Sequence, residues 1–275
     1  MKLRPGHVAA VTGAGSGIGR ALARDLAGRG CHLALSDVDE AGLKETVDLV
    51  ARPGISVTAQ TVDVADRQAV ERWAATVVAD HGRVNLVCNN AGVALGASVA
   101  AMSYDDLEWL MGVNFWGVVH GTKAFLPHLE AAGEGHVVNI SSVFGLVGIP
   151  WQSAYNASKF AVRGFTEALR LELDIERCGV SCTAVHPGGI RTNIVRNARF
   201  DDSMAVLGDP STLAETSDRL FRTSPERAAS TILAAVERDR RRVMVGPDAH
   251  LINVLARTSP ALYQRLIRLG ARLRL

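Results

Sequence analysis

Val8-Ala9-Ala10-Val11-Thr12-Gly13-Ala14-Gly15-Ser16-Gly17-Ile18-Gly19 is the stretch whose reading decides the fold of this chain. An uncharged β-rich run, Val8–Thr12, ends in a glycine-rich turn, and a helical pattern follows over 17–29. Glycine lets the backbone turn tightly and approach a pyrophosphate without Cβ clashes, and the helix N-terminus adds N–H donors and a positive dipole end. Gly13, Gly17 and Gly19 give the spacing T-G-x-x-x-G-x-G rather than G-x-G-x-x-G, with Gly15, Ser16 and Ile18 completing the turn. A plain strand-to-helix turn would use the same glycines, so the neighbouring strands have to decide.

The next strand pattern, His32–Asp37, closes on a carboxylate 20 residues after Gly17. An acid at that strand end accepts hydrogen bonds from adenosine ribose hydroxyls and repels a 2′-phosphate. With no Lys or Arg inside the glycine loop, the expected cofactor is NAD(H) in preference to NADP(H). A third run, Ser56–Val64, ends in Asp63-Val64, and a fourth, Val84–Asn89, leads into Asn90-Ala91-Gly92. Ligands of open parallel sheets collect beyond the carboxyl ends of the strands. There Asp63 can meet the adenine amino group, Val64 can cover the ring, and Asn90 with Gly92 can line the ribose. Each of these residues also suits an ordinary turn; their common position at strand ends favours the site.

Further strand patterns at 136–141, 180–186 and 242–245 alternate with helical ones near 39–51, 66–81, 103–131, 152–177 and 225–238. The nearly all-apolar strands predict a sheet covered on both faces, so the fold class is α/β: a doubly wound, mainly parallel seven-stranded sheet with helices on both faces. No linker interrupts the rhythm, which predicts one domain over 1–248. Residues 189–223 are too long for an ordinary connection and are expected to form a substrate lid. Residues 249–275 form a basic amphipathic C-terminal helical extension, with Ser259-Pro260 as a helix stop and restart.

Composition bounds the function classes. The chain has 275 residues, 48% of them hydrophobic, long enough to bury a core without disulfides or metals. Its net charge of +2 is too balanced for a chain-wide nucleic-acid footprint. From Ala249 onward there are five arginines and no acidic residue, so the tail carries +5 and residues 1–248 carry −3. The four cysteines form no C-x-x-C pair and read as reduced thiols. No apolar stretch is long enough to span a bilayer, no secretory leader pattern opens the chain, and no metal-ligand spacing occurs. Cytoplasmic localisation and a metal-free site are the expectations.

Tyr155 and Lys159 stand at i and i+4 on one helix face, and Ser142 ends the fifth strand 13 residues before Tyr155. Y-x-x-x-K alone is weak, because an exposed amphipathic helix produces it too. Proton transfer to a carbonyl oxygen gives it meaning. Free tyrosine, with a pKa of about 10, is phenolate on the order of 0.1% at pH 7, and bringing it near 7 takes about 4 kcal/mol. A charge about 4 Å away supplies about 1 kcal/mol in water and about 4 at an effective dielectric of about 20. Lys159 can therefore activate Tyr155 only in a partly desolvated cleft, aided by a positive nicotinamide ring.

With these residues assembled, the chain resembles the short-chain dehydrogenase/reductase family. The resemblance rests on Thr12–Gly19, Asp37, Asp63-Val64, Asn89–Gly92, Asn114, Ser142, Tyr155, Lys159 and Pro187-Gly188-Gly189-Ile190-Arg191-Thr192, in the family's order over 7–192. It implies a Rossmann-type sheet and hydride transfer between nicotinamide and a substrate carbon. It also implies that Tyr155 is the acid in reduction and the base in oxidation, and that Lys159 lowers its pKa and holds the nicotinamide ribose. Ser142 would polarise the carbonyl, Asn114 would hold a water linking Lys159 to solvent, and Ile190 and Thr192 would contact the carboxamide. Pro187, Gly188 and Ala91 enter the cofactor site by the same resemblance, which further implies a homodimer or homotetramer built through the helices at 103–131 and 152–177.

The uncharged runs Val143–Trp151, including Phe144 beside the site, and Val93-Ala94-Leu95 predict a small hydrophobic alcohol or ketone as substrate, unless these side chains only pack beneath the lid. The competing class is a non-catalytic NAD(H)-binding sensor or scaffold, against which the intact Ser142-Tyr155-Lys159 set argues. In the tail, Leu262, Leu266, Leu269 and Leu273 make one stripe flanked by Arg265, Arg268 and Arg272. Such a helix can lie on an anionic membrane surface, but packing of the leucines on protein is the favoured expectation.

Overall fold

The computed structural model describes residues 1–272; Leu273 and Arg274 of the tail lie outside the described residues. Seven strands, β1 (Val8–Thr12), β2 (His32–Asp37), β3 (Val57–Thr61), β4 (Leu86–Asn89), β6 (Gly135–Ile140), β7 (Val180–Pro187) and β9 (Arg242–Val245), form one sheet in the order β3-β2-β1-β4-β6-β7-β9. Every neighbouring pair is parallel. The order reverses between β1 and β4, where Val11 pairs with Cys88. A crevice is forced open at their carboxyl ends, because the connections leave to opposite sides.

The alternation of side chains along each strand explains why these strands carry so little polarity. Ala9 and Val11 of β1 join Leu33 and Leu35 of β2 against α1 (Gly17–Gly28) and α8 (Pro225–Glu237), through Leu22, Leu26, Ile232 and Leu233. Val8 and Ala10 face the other way, toward Trp73, Val77, Phe125 and Leu173. These come from α3 (Arg67–His81), α5 (Gly117–Ala131) and α6 (Ser153–Glu176), and Trp73 meets Phe125 edge-to-face at 5.1 Å. Both faces are dry, as the apolar runs require.

Three departures from the expected elements have local causes. β3 stops at Thr61, short of Asp63-Val64, because turn chemistry wins there. Asp63 Oδ1 accepts the Ala65 N–H, and Asp66 caps α3 by accepting the N–H groups of Gln68 and Ala69. The segment expected as one helix over 103–131 is α4 (Tyr104–Met111) and α5 joined by a π turn, Gly112–Trp116, which contains Asn114. Residues 189–223 hold more structure than their mixed composition suggests. β8 (Arg199–Phe200) pairs in parallel with β5 (Leu95–Gly96), and α7 (Pro210–Leu220) follows a short 3-10 turn.

At the C-terminus α9 (Pro247–Thr258) ends at Ser259 and α10 (Pro260–Arg272) begins at Pro260, as the helix punctuation predicts. The expected boundary at 248/249 falls inside α9. That helix buries Ala249 completely and packs Ile252 and Ala256 on Val143 and Leu146. No helix among the described residues is long and apolar enough to cross a membrane.

Candidate active site

The glycine turn is braced from three sides. Gly13 and Gly17 adopt φ of 64° and 50°, where a side chain is strained, and a Cβ on Gly19 would collide with the Gly13 carbonyl. Asn90 Nδ2 donates to the carbonyls of Thr12 (2.9 Å) and Gly13 (3.1 Å), while the Thr12 hydroxyl accepts the N–H groups of Asn90 and Ala91. Arg20 reaches back to the Gly15 and Gly42 carbonyls, to Thr46 Oγ1 and to Glu45, tying the turn to α2 (Glu40–Val50). Ser16, the N-cap of α1, makes no side-chain cap bond. The N–H groups of that first turn therefore have no side-chain acceptor and face the crevice with the positive end of the helix. Asp37 Oδ2 accepts the Gly15 N–H at 2.7 Å and Oδ1 accepts that of Asp39 at 3.0 Å, which fixes the carboxylate at the turn. This arrangement fits a dinucleotide: a backbone cradle for the pyrophosphate and an acid positioned for the ribose.

Four residues converge on the opposite side of the crevice. Ser142 lies close enough to Tyr155 for its hydroxyl to oppose the effect of burial on the phenol. Ser142 Oγ also accepts the Phe144 N–H at 3.1 Å, opening the 3-10 turn that carries the uncharged wall. Lys159, one helical turn after Tyr155, is buried, donates to the Ile140 carbonyl at 3.1 Å, and sits 5.5 Å from the Tyr155 ring centre. Asn114 is fully buried: its Oδ1 accepts the Val93 N–H and its Nδ2 donates to the Val93 carbonyl and to Ser158 Oγ. An ideal Cβ on Gly92 would lie 3.2 Å from Asn114 Oδ1 and 3.5 Å from Lys159 Nζ, so glycine keeps the space between them open.

Burial sets the proton affinities. Removing Tyr155 from water raises its pKa to about 12, against the opposing influence of the nearby Ser142 hydroxyl. Desolvation lowers Lys159 to about 8, which leaves the ammonium mostly charged at pH 7. Behind Ser142, buried His186 donates from Nδ1 to the Ser142 carbonyl at 3.0 Å; burial holds its pKa near 4, so the ring is neutral.

The run after β7 completes the crevice. Gly188 N–H donates to the Val245 carbonyl and Gly189 N–H to Asp248 Oδ2, while the Arg191 N–H donates to Thr223. Ile190 is buried, and Thr192 places its methyl 3.0 Å from where a Gly17 Cβ would stand. Pro187 through Thr192 thus lies across the mouth of the glycine turn.

The structure brings Gly13–Gly19, Asp37, Asn90–Gly92, Asn114, Ser142, Tyr155, Lys159 and 187–192 to the carboxyl edge of the sheet. Asp63 is exposed just beyond the end of β3, whereas Val64 is buried with its carbonyl 3.1 Å from His120 Nδ1. Phe144 stands edge-on to Tyr155, with ring centres 5.9 Å apart. Much of the uncharged wall is packing rather than open surface: Leu95, Val143, Leu146 and Val147 are buried. Phe144, Ile149 and Trp151 remain partly open.

Sequence reasoning passed over Arg20, Asn156 and Asp248. Asn156 Nδ2 donates to the carbonyls of Phe144 and Val147 and its Oδ1 accepts the Ile149 N–H, so the residue beside Tyr155 shapes the wall. Asp248 follows Gly246-Pro247, a helix start that could have marked it as an acid with backbone partners.

The family model described as short chain dehydrogenase matches residues 7–203. SadH of Mycobacterium tuberculosis, which carries an oxidoreductase designation, is 53% identical over 266 residues, covering 96% of this chain and 95% of that protein. A short-chain dehydrogenase/reductase from Burkholderia phymatum, solved in complex with NAD, superposes with a TM-score of 0.86 at 32% identity, covering 93% of this chain and 94% of that one. Levodione reductase superposes with a TM-score of 0.79 at 29% identity, covering 90% and 99%. Family match, sequence relatives and fold lead to one conclusion: the chain belongs to the short-chain dehydrogenase/reductase family of oxidoreductases.

Proposed function

We propose that this oxidoreductase interconverts a secondary alcohol and a ketone on a hydrophobic substrate, with NAD(H) preferred over NADP(H) and Tyr155 as acid and base. The observation that carries the reading is Ser142 beside Tyr155 with Lys159 Nζ 5.5 Å from the ring, across the crevice from the uncapped start of α1. Bound nicotinamide would supply or accept the hydride. The other tasks fall to this chain. The turn Gly13–Gly19 would hold the pyrophosphate, Asp37 the adenosine ribose, Asp63 and Val64 the adenine, and Asn90, Ala91 and Gly92 the adjoining backbone. Pro187, Gly188, Ile190 and Thr192 would hold the carboxamide end. Ser142 and Tyr155 would orient the substrate oxygen, with Tyr155 giving its proton in reduction and taking one in oxidation. Lys159 would hold the nicotinamide ribose and favour the phenolate by its charge. Because both Asn114 side-chain groups are engaged by Val93, any water it holds for Lys159 would sit on its main-chain carbonyl.

The cofactor preference rests on Asp37, whose carboxylate stands where a 2′-phosphate would need a cation. The substrate class rests on Phe144, edge-on to Tyr155, and on Ile149 and Trp151 further along the same uncharged run, all partly open. We read residues 1–248 together with α9 as one domain, with 189–223 as the lid, in a cytoplasmic protein. A homodimer or homotetramer would use the outer faces of α5, with the π turn before it, and of α6, where Trp116, Phe160, Leu171 and Ile175 are exposed. Initial rates with NAD⁺ and NADP⁺ across aliphatic, aromatic and steroid-like secondary alcohols test the proposal. NAD⁺ reduction by members of that panel is expected. Turnover confined to charged sugars, or none with any alcohol, would refute it.

A further inference from the structure

The described leucines of the α10 stripe are only partly covered by their own subunit. Leu262, Leu266 and Leu269 expose 44%, 50% and 57% of their surface in the single chain. The inner side of the helix is occupied instead by Tyr263 and Ile267, both partly buried. At about 100° per residue the three leucines share one face, Tyr263 and Ile267 lie on one flank of it, and Arg265 and Arg268 lie on the other. α9, the helix before it, also exposes Leu251 and Val254 and the cationic Arg257. The sequence holds no acidic residue after Asp248, so no carboxylate neutralises this surface from within the segment.

We propose that the α9–α10 surface docks on an anionic lipid bilayer, with Leu262, Leu266 and Leu269 entering the acyl boundary and the arginines at the headgroups. A second copy of the chain is the competing occupant, but a two-fold contact through this face would bring the arginines of both copies together with no acid between them. A bilayer carrying phosphatidylglycerol or phosphatidylserine supplies both things the surface lacks, apolar contact and negative charge. Arginine stems extend along apolar surface while the guanidinium stays at the phosphate level, and a flanking position suits that behaviour. The inference is independent of which alcohol the enzyme oxidises.

Flotation of the full-length protein with vesicles of 3:1 phosphatidylcholine:phosphatidylglycerol, and with pure phosphatidylcholine, tests it. Two triple variants serve as probes, L262Q/L266Q/L269Q and R257Q/R265Q/R268Q, with circular dichroism and light scattering on each. Because all six side chains are exposed, both variants are expected to fold. Binding to the anionic vesicles is expected to fall at least tenfold in the leucine variant and roughly a hundredfold in the arginine variant, and to weaken with salt. Negligible binding by the native chain would overturn the proposal, as would equal binding to neutral vesicles. So would a loss of oligomer mass in the leucine variant with vesicle binding unchanged, which assigns the face to a second copy. A misfolded leucine variant leaves the arginine variant and the two vesicle compositions to decide.

Discussion

Replacing Lys159 by methionine isolates the charge that the proposed mechanism needs while filling much of the same volume. The ammonium lies 5.5 Å from the Tyr155 ring centre. At an effective dielectric of about 20, one unit charge at that distance stabilises a phenolate by about 3 kcal/mol, or about two pH units. Burial raises the tyrosine to about 12, so the lysine, the nearby Ser142 hydroxyl and bound nicotinamide must together bring it back toward the working range. In oxidation the base form of Tyr155 is required, so kcat/KM against pH, measured at saturating NAD⁺, should rise with the ionisation of that group. K159M should move this rising limb upward by about two units and lower the rate at pH 8 by about a hundredfold. K159R, which keeps the charge, should move it by less than half as much. A uniform loss of rate with the limb unmoved would refute the electrostatic role and leave Lys159 only as a ribose anchor.

Three further outcomes follow from particular contacts. D37N removes the negative charge at the ribose position, and kcat/KM for NADP⁺ relative to NAD⁺ should rise at least tenfold; an unchanged ratio would detach Asp37 from cofactor choice. G121A places a Cβ on the Asn89 Oδ1 atom in the packed seam between α5 and β4, so urea denaturation should show a loss of about 1–3 kcal/mol, and a neutral result would contradict that packing. His186 and His136 are buried and neutral, with pKa values lowered to about 4 and about 3. His186 Nε2 and His136 Nδ1 have no acceptor for an added proton, so the native state resists protonation that the unfolded chain accepts below about 6.5. Stability is therefore full above that pH and falls as the pH drops toward 4. At pH 5 each histidine should cost roughly 2 kcal/mol relative to pH 8, visible in urea midpoints and reduced in H186N.

The sequence made the sheet and its ligand edge legible because both depend on short-range signals: apolar runs, glycine spacing and acids at strand ends. Val8–Val11 is apolar throughout because alternate residues serve opposite cores, a pattern that survives without knowing the partners. What stayed hidden depends on contacts made across the chain. Asn90 reads as a ribose contact, but its amide protons go to Thr12 and Gly13, whose nearness to β4 is a product of strand order. Arg20 reads as a helix residue and becomes the strap that joins the glycine turn to α2. The π turn at Gly112–Trp116 has no sequence marker of its own, yet it carries Asn114 to Val93. Leu95 reads as pocket wall and is buried, because β8 of the long insertion pairs with its strand. Boundaries failed where capping outweighed strand propensity, as at Asp63 and Asp66.

The central claim is that Tyr155 transfers the proton while the surrounding frame holds the cofactor, and Y155F separates the two. The variant removes one oxygen and leaves the glycine turn, Asp37 and Lys159 in place. Its NADH affinity, titrated by fluorescence, should stay within about threefold of the native value, while kcat for the best secondary alcohol should drop by at least a thousandfold, on the scale of lost acid–base catalysis. Y155F turning over at more than about a tenth of the native rate, with NADH binding intact, would contradict the account.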